Sequence, residues 1–252
     1  TYTKWLGKCT NCGEWNTIEE QIIDKTESKS KNLLSIYPKL IQDISYDNFE
    51  RINLPSDELN RILGGGLTKG SIILLAGEPG IGKTTLLMQE LMRLNGSTVL
   101  YISGEESLGQ LKYRSERLGE PHSDFYLFHE VSLPNIIQAI NEVAPDFVVV
   151  DSIQSIADPD LSGFTGSLQQ IRECTVKLEE LAKTKNIPIF IIGHITKEGF
   201  IAGPKVLEHV VDTVMHFEGD KNYGYRILRV LKNRFGPAPE LAIFEMVQDG
   251  LK

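Results

Sequence analysis

The sequence predicts an α/β fold with a mainly parallel central sheet. Short, almost wholly apolar runs alternate along the chain with longer segments whose apolar residues recur at helical spacing. Runs without polar alternation are typical of strands that are buried on both faces, as in a parallel sheet covered by helices. The predicted strands are Ser71–Ala76, Thr98–Ser103, Asp124–Phe128, Phe147–Ser152 and Ile187–His194, and the predicted helices are Lys83–Leu94, Leu108–Leu118, Pro134–Val143 and Ser167–Lys185.

Length and composition fit one large α/β domain with a small appendage. The chain has 252 residues, of which 41% are hydrophobic and 24% are charged, as in ordinary globular proteins. No apolar run approaches the roughly 18 residues that span a membrane, and no signal peptide is visible. Three cysteines form no disulfide framework, so we expect a cytoplasmic protein without a membrane partner. The chain begins with Thr rather than Met, which leads us to expect a processed or incomplete chain.

The amino-terminal residues 1–17 contain Cys9 and Cys12 at a C-x-x-C spacing, at which two thiolates can hold one side of a tetrahedral Zn²⁺. Four ligands are needed, and the remaining cysteine, Cys174, lies in a predicted helix, where we expect it to be a small core residue. We therefore expect half of a four-cysteine zinc ribbon, and a free dithiol or a redox pair is the alternative. Residues 18–55 are predicted to be a polar linker, and residues 56–252 the α/β domain.

A glycine-rich segment directly follows the first predicted strand and leads into the first predicted helix. It matches the phosphate-binding pattern G-x-x-x-x-G-K-[ST], whose glycines let backbone N–H groups point at phosphate oxygens. A lysine in this pattern can reach the β- and γ-phosphates, and the next hydroxyl can bind Mg²⁺. A chance glycine-rich turn is the alternative. The predicted nucleoside triphosphate site comprises Gly77, Glu78, Pro79, Gly80, Ile81, Gly82, Lys83, Thr84 and Thr85.

Further polar residues follow other predicted strands, at the edge of the sheet where α/β proteins bind ligands. Glu105 and Glu106 come just after Thr98–Ser103, and either carboxylate could polarise an attacking water; alternatively, both only cap the next helix. Asp151 ends a strand of four apolar residues, as in a Walker B motif, where it would hold Mg²⁺ directly or through water. His194 ends the following strand, where it could sense the γ-phosphate or be an ordinary structural histidine.

Two loops and a basic turn are candidates for contacts outside the nucleotide. The polar loop Gln154–Gly166 follows Asp151, and a solvated loop without a function is the alternative; a second predicted loop, Lys197–His209, follows His194. Farther on, Val211–Phe217 and Tyr225–Lys232 predict an antiparallel hairpin.

The hairpin ends in Lys232-Asn233-Arg234-Phe235-Gly236, which we expect to be an exposed basic turn. Its arginine could serve the γ-phosphate of a neighbouring subunit, and a solvated basic turn is the alternative. The net charge of −8 argues against a protein that coats nucleic acid over its whole surface, but a local basic channel is compatible with it.

Taken together, these motifs resemble the RadA/Sms family of bacterial RecA-like ATPases. The resembling stretches are KWLGKCTNCGEWNT, LGGGLTKGSIILLAGEPGIGKTTL, YISGEES, DSIQS, GHITKEGFIAGPKVLEHVVDTV and KNRFG. The resemblance implies a RecA-type core that uses ATP or ADP with Mg²⁺, a homohexameric ring and a location at the nucleoid. It also implies movement on single-stranded DNA and branch migration of branched recombination intermediates, in DNA repair alongside the RecA recombinase.

By the same resemblance, individual residues acquire expected roles. Lys83 and Thr84 would bind nucleotide and Mg²⁺, and Lys232 and Arg234 would act in DNA binding and across the subunit interface. The loops after Asp151 and after His194 would face the DNA. The chain departs from the family pattern in two ways, since the first half of the zinc ribbon and a carboxyl-terminal domain resembling Lon protease are missing. Zn²⁺ would therefore need the upstream cysteines.

Two other functions share many of these motifs. A KaiC-like signalling ATPase has the P-loop, the Glu-Glu pair and the RecA-type core, but it transfers phosphate to protein instead of moving along DNA. A nucleotide-gated module that loads partners onto DNA without translocating is the third hypothesis. The zinc knuckle together with the basic turn favours the DNA motor.

Overall fold

The computed structural model describes Trp15, Pro38 and residues 40–43, 50–194, 204–219 and 224–252, with backbone only at 204 and 205. The chain divides into two compact units, Thr1–Ser45 and Tyr46–Lys252. Within the first unit the described residues include a single 3₁₀ turn, Ile41–Asp43. Cys9, Cys12 and residues 195–203 lie outside the described residues, and the predicted boundaries at residues 17 and 55 stay predictions. The end of the predicted loop Lys197–His209 is described, and it forms a short helix, Pro204–Leu207, where a loop was expected.

The second unit contains the helices and strands that position the candidate site. The strands are β1 (Arg51–Ile52), β2 (Leu67–Thr68), β3 (Ile72–Gly77), β4 (Thr98–Ser103), β5 (Asp124–His129), β6 (Phe147–Asp151), β7 (Ile189–His194), β8 (Thr213–Gly219), β9 (Tyr225–Asn233), β10 (Glu240–Val247) and β11 (Gly250–Leu251). The helices are α1 (Asp57–Ile62), α2 (Lys83–Met92), α3 (Leu108–Glu116), α4 (Leu133–Val143), α5 (Leu168–Lys185) and α6 (Pro204–Leu207).

Nine strands form one sheet in the order β11-β10-β9-β8-β3-β7-β6-β4-β5, and β1 and β2 form a separate small ribbon. The six strands from β8 to β5 are parallel to one another, whereas β9, β10 and β11 extend the sheet in antiparallel fashion. The prediction of an α/β fold with a mainly parallel sheet is therefore confirmed. The predicted helices and strands differ from the observed bounds by at most 2 residues at either end.

Each central strand sends alternate side chains into two apolar layers, one on each face of the sheet. On β3, Ile73 and Leu75 join the layer that α1 and α2 cover, whereas Ile72 and Leu74 join the layer that α4 and α5 cover. Cys174 on α5 is fully buried in the second layer, as predicted for a core residue. Because the central strands are covered on both faces, their ends are the places where polar side chains reach solvent. None of the helices in the described part of the chain is long and apolar enough to cross a membrane.

Candidate functional site

A cavity of about 300 Å³ opens at the carboxyl ends of the parallel strands. The loops that follow β3 and β4 meet there with the last residues of β6 and β7, because the carboxyl ends of neighbouring parallel strands share one edge of the sheet. The cavity is lined by Pro79, Gly80, Gly82, Lys83, Thr84, Thr85, Ser103, Glu105, Glu106, Arg114, Asp151, His194 and Met246.

The glycine-rich loop turns from β3 into α2 and forms one wall of this cavity. Gly82 is the residue before the first helical turn and has φ +116, a left-handed conformation that favours glycine. A Cβ atom at Gly82 would also lie 2.8 Å from Cε of Met246, so the end of the methionine side chain would have to shift. The loop thereby brings the N-terminus of α2, with its free N–H groups and positive dipole, to the cavity, which is an arrangement that favours anions.

Lys83 is almost wholly buried and its ammonium group folds back onto the loop. Nζ donates hydrogen bonds to the carbonyl oxygens of Gly77 and Glu78, at 2.8 and 2.9 Å. Burial lowers the pKa of Lys83 to about 8, and the nearby carboxylates of Asp151 and Glu105 oppose that shift. The side chain therefore still carries a positive charge at neutral pH, inside a cavity suited to phosphate.

Asp151, at the end of β6, accepts two hydrogen bonds on the same oxygen. The hydroxyl of Thr84 lies 2.7 Å and the hydroxyl of Tyr101 lies 2.6 Å from its Oδ2. Burial raises the pKa of the Asp151 carboxyl, while the hydrogen bonds from Tyr101 and Thr84 act in the opposite direction. A carboxylate beside a threonine hydroxyl is a pair of hard oxygen donors, which fits the way Mg²⁺ is bound by a few protein oxygens together with substrate phosphates.

The two adjacent glutamates after β4 have different partners. Glu105 contacts His194, with Oε1 at 3.1 Å from Nε2, and it also accepts a hydrogen bond from the hydroxyl of Ser152. Glu106 forms an ion pair with Arg114 on α3. Both glutamates line the cavity. Only Glu105 contacts the central strands, through Ser152 directly after β6 and through His194 at the end of β7.

Neither glutamate caps α3, so the alternative that they serve only as helix caps is wrong. The N-cap is Ser107, whose Oγ accepts a hydrogen bond from the backbone N–H of Gln110, while the Gln110 side chain accepts one from the N–H of Ser107. This reciprocal pair already satisfies the start of the helix. The glutamates are therefore left available for the cavity.

The basic turn lies at the opposite edge of the sheet from the glycine-rich loop of the same chain. Asp212 and Arg234 sit next to the first residue of β3, whereas the loop follows its last residue, Gly77. At 3.3 Å per residue, the two ends of this strand are roughly 17 Å apart. The structure thus brings Lys83, Thr84, Asp151, Glu105 and His194 together, but neither Lys232 nor Arg234 joins them.

Both cations of the turn are anchored within the chain; Arg234 is exposed as predicted, with 44% of its side chain accessible, whereas Lys232 is less exposed than expected. Lys232 is partly buried, and its Nζ donates to the carbonyl oxygens of Glu208 and Val211. Burial is the main cause that lowers the pKa of Lys232. Arg234 donates through Nη1 to Oδ1 of the buried Asp212, at 3.0 Å. The sequence pattern shows the charges of the turn, but not the carbonyls and the carboxylate that the fold places beside them.

Several residues that line the cavity, or that contact the residues lining it, were not predicted from the sequence. Tyr101 lies inside a predicted strand, and Ser152 directly follows Asp151 at the end of another. Arg114 lies on a helix, and Met246 lies on β10, far along the chain. Of these residues, only Tyr101 could have been suspected from the sequence, because a hydroxyl within a buried apolar strand needs a polar partner.

Comparisons with known proteins agree with this architecture. The AAA domain family matches residues 41–199, and the family described as a rubredoxin metal binding domain matches residues 1–20. Proteins named DNA repair protein RadA are 49% identical in Bacillus subtilis (strain 168), over 98% of this chain and 56% of the relative, and 45% identical in Halalkalibacterium halodurans, over 99% and 56%. The chain thus spans about 56% of the length of these relatives.

A solved structure with a similar fold is the crystal structure of a KaiC-like protein from the archaeon Pyrococcus horikoshii OT3. It aligns with a TM-score of 0.64 over 81% of this chain and 98% of that chain, at 19% sequence identity. At this level of identity the likeness concerns the fold alone.

Proposed function

Because the chain belongs to the RadA/Sms family of bacterial RecA-like ATPases, we propose that it hydrolyses ATP, with Mg²⁺, in DNA repair. The observation that carries this proposal is the convergence of Lys83, Thr84, Asp151 and Glu105 on one cavity. A P-loop lysine and threonine, a strand-terminal aspartate and a carboxylate beside them are the parts that phosphoryl transfer to water requires. The part of the proposal that concerns DNA repair comes from the longer relatives and applies to this chain only through its family membership.

Each of these residues has a proposed part in hydrolysis. When ATP binds, the Lys83 ammonium would leave the carbonyls of Gly77 and Glu78 and bind the β- and γ-phosphate oxygens. These oxygens are negatively charged, so the lysine must be protonated near neutral pH. Thr84 and Asp151 would hold Mg²⁺, which when bound neutralises phosphate charge.

Glu105, rather than Glu106, is the proposed general base. The Glu105 carboxylate would accept the proton of the attacking water, and His194 and Ser152 orient that carboxylate. Glu106 is less suited to this task because Arg114 neutralises it. As the last residue of β7, His194 would also link the γ-phosphate to the loop that follows it.

We further propose that a neighbouring copy of the chain completes the nucleotide site. Lys232 and Arg234 cannot reach their own cavity from the far edge of the sheet, so they would serve the nucleotide of the next subunit. A guanidinium supplied in this way stabilises charge on the transferred phosphoryl group. A closed homohexamer is the assembly that the family resemblance suggests for such contacts.

Single-stranded DNA is the proposed second ligand, contacted by the loops that follow Asp151 and His194. In the first of these loops Phe164 is 80% exposed. An exposed aromatic ring can stack on nucleic acid bases without selecting a sequence. Branch migration of recombination intermediates, cooperation with the RecA recombinase and a location at the nucleoid are proposed on the family resemblance. So is a zinc site that includes Cys9 and Cys12.

The test is ATP turnover measured against protein concentration, with and without single-stranded DNA, at fixed salt because binding to phosphates depends on salt. We expect cooperative turnover that DNA raises, and no turnover above background in Lys83→Ala. Retained turnover in Lys83→Ala would contradict the assignment of the cavity. Turnover that DNA does not raise, in this chain and in a full-length RadA relative, would favour a KaiC-like signalling ATPase.

A further inference from the structure

Tyr101 brings a hydroxyl group to Asp151, which lines the candidate nucleotide cavity, although the tyrosine ring is part of the core. The residue is fully buried on β4, and its ring stacks on Phe125 of β5 with the centroids 6.0 Å apart. The ring faces the apolar layer beneath α2, together with residues such as Val99 and Val149. At the other end of the ring, the hydroxyl donates to Oδ2 of Asp151 at 2.6 Å.

The packing of the ring does not by itself account for the hydroxyl. A phenylalanine would fill the same layer and keep the stack on Phe125, without a polar atom that must be satisfied. The reason for a tyrosine at this position lies in the neighbouring strand β6, which carries Asp151. β4 lies beside β6, with Tyr101 paired with Val149 and Ser103 with Asp151, so a long side chain on β4 can extend to the carboxylate two positions farther along β6.

The two hydroxyls that reach Asp151 fix the direction of its carboxylate. Thr84 and Tyr101 both donate to Oδ2, from the helix α2 on one side and from the strand β4 on the other. Among the described residues, no hydrogen bond is made to Oδ1. Two donors on one oxygen restrict rotation of the carboxylate, and both Asp151 and Thr84 line the cavity.

We propose that Tyr101 is a positioning residue, whose hydroxyl holds the Asp151 carboxylate in the orientation that binds the Mg²⁺ of the nucleotide complex. The inference rests on the proposed function, since it concerns the cation that accompanies ATP or ADP. Tyr101 touches neither nucleotide nor cation and acts only through Asp151. Partners of this kind typically contribute 10- to 100-fold to metal affinity, as hydrogen-bond donors do for other metal-binding carboxylates.

The test compares ADP binding with and without Mg²⁺ in Tyr101→Phe, by calorimetric titration of the whole chain. In wild type, Mg²⁺ should tighten ADP binding, and in Tyr101→Phe we expect this gain to fall about 10-fold or more. ADP binding in EDTA should stay within about twofold of wild type, because the contacts of Lys83 and the loop with phosphate are unchanged. The matched control is Tyr126→Phe on β5, whose side chain is half exposed and away from Asp151.

A second measurement separates orientation of Asp151 from a general loss of packing. In the Asp151→Asn background, Tyr101→Phe should have no further effect on the Mg²⁺ gain, because the two residues act as one unit. An equal loss of ADP affinity in EDTA would show that the hydroxyl acts through folding or packing and would overturn the inference. So would a Mg²⁺ gain in Tyr101→Phe equal to that of wild type. If wild type itself showed no Mg²⁺ gain, the proposed function would be wrong instead.

Discussion

Glu90 places a carboxyl group in the apolar layer between the sheet and the helices α1 and α2. The residue is 3% exposed, and its side chain faces a small apolar gap bounded by Leu54, Leu87 and Met215, among others. Oε2 accepts a hydrogen bond from the backbone N–H of Ser56, at 2.9 Å, just before α1. Burial is the main cause that raises the pKa of Glu90, and that hydrogen bond opposes it only in part.

From the raised pKa of Glu90 we predict how the stability of Glu90→Gln differs from that of wild type at different pH values. Below the ordinary pKa of a glutamate, Glu90 is protonated in both the folded and the unfolded chain, so its burial carries no charge penalty. As the pH rises through the higher pKa of the folded state, folding must bury an ionised group, and wild type loses stability that the glutamine variant keeps. We expect Glu90→Gln to be more stable at pH 7 by about 1 kcal/mol, and the difference to vanish near pH 4.

Urea unfolding of both proteins between pH 4 and pH 7 measures this difference. Exposed Glu120→Gln is the control, and its free energy of unfolding should stay within about 0.5 kcal/mol of wild type. A glutamine variant less stable than wild type at pH 7 would mean that the hydrogen bond from Ser56 outweighs the cost of burial.

At the level of single residues, the sequence predicted the parts of the site that lie in contiguous motifs. Lys83 and Thr84 follow from the glycine-rich pattern, and Asp151 follows from its place after an apolar strand. The hydrogen bond between Tyr101 and Asp151 could not be predicted, because it depends on β4 lying beside β6 in a particular register. Strand order is a property of the whole sheet, and no local pattern in this chain encodes it.

At the level of elements, the turn after α1 and the basic turn after β9 are built against each other. Asn233 donates to the carbonyl oxygen of Leu63 at 3.2 Å, and Arg51 donates to the same oxygen at 3.1 Å. Gly64 lies directly against Gly236, since a Cβ atom at Gly64 would be 2.9 Å from the Cα atom of Gly236. The glycines of the turn after α1 therefore allow the basic turn to pack directly against its backbone.

A comparison of Gly64→Ala with Gly65→Ala tests this contact. Both glycines have positive φ, at +81 and +103, so an alanine at either position is strained by about 1–2 kcal/mol. Only Gly64→Ala would also push against backbone, because the nearest atom to a Cβ at Gly65 is the flexible side chain of Arg51 at 3.7 Å. We expect Gly64→Ala to cost about 1–3 kcal/mol more than Gly65→Ala in urea unfolding. Equal costs would mean that the two turns do not depend on close contact.

The predicted antiparallel hairpin is confirmed as β8 and β9, but the outer antiparallel strands β10 and β11 were not predicted. On β10 the buried residues Ala242 and Phe244 alternate with Leu241 and Ile243, which are 43% and 57% exposed. Because the exposed face is apolar too, the polar alternation that usually identifies an antiparallel strand is absent. The parallel strands were predicted well since burial on both faces makes them uniformly apolar.

At the level of the whole molecule, the cavity and the basic turn lie at opposite ends of β3, and the proposal that they act together therefore needs a second chain. The turn is held in shape by Asp212, which accepts hydrogen bonds from the backbone N–H of Ile72 and from Arg234. Asp212 thereby connects the basic turn to the start of the same strand that ends in the glycine-rich loop. Because the two hydrogen bonds of Asp212 hold the turn at the start of β3, the proposed contact of Arg234 with a nucleotide would have to be made in a neighbouring chain.

Mixing two inactive variants tests this arrangement. Lys83→Ala keeps the basic turn but should not hydrolyse ATP, and Arg234→Gln keeps the cavity while a neutral amide still donates to Asp212. Alone, Arg234→Gln should bind ADP as wild type does and show turnover reduced 10-fold or more, as for a missing arginine finger. In an equimolar mixture we expect turnover several times the sum of the separate variants, because Arg234 of the first variant completes the cavity of the second.

The matched control replaces Lys83→Ala in the mixture with the double variant Lys83→Ala/Arg234→Gln, which has neither half of the site and should give no rescue. Turnover that rises in the first mixture and stays low in the second can come only from an arginine supplied by another chain. If neither mixture exceeds the sum of its parts although Arg234→Gln alone is impaired, Arg234 acts within its own chain. The basic turn would then influence hydrolysis through Asp212 and β3, along the connection that the structure already shows.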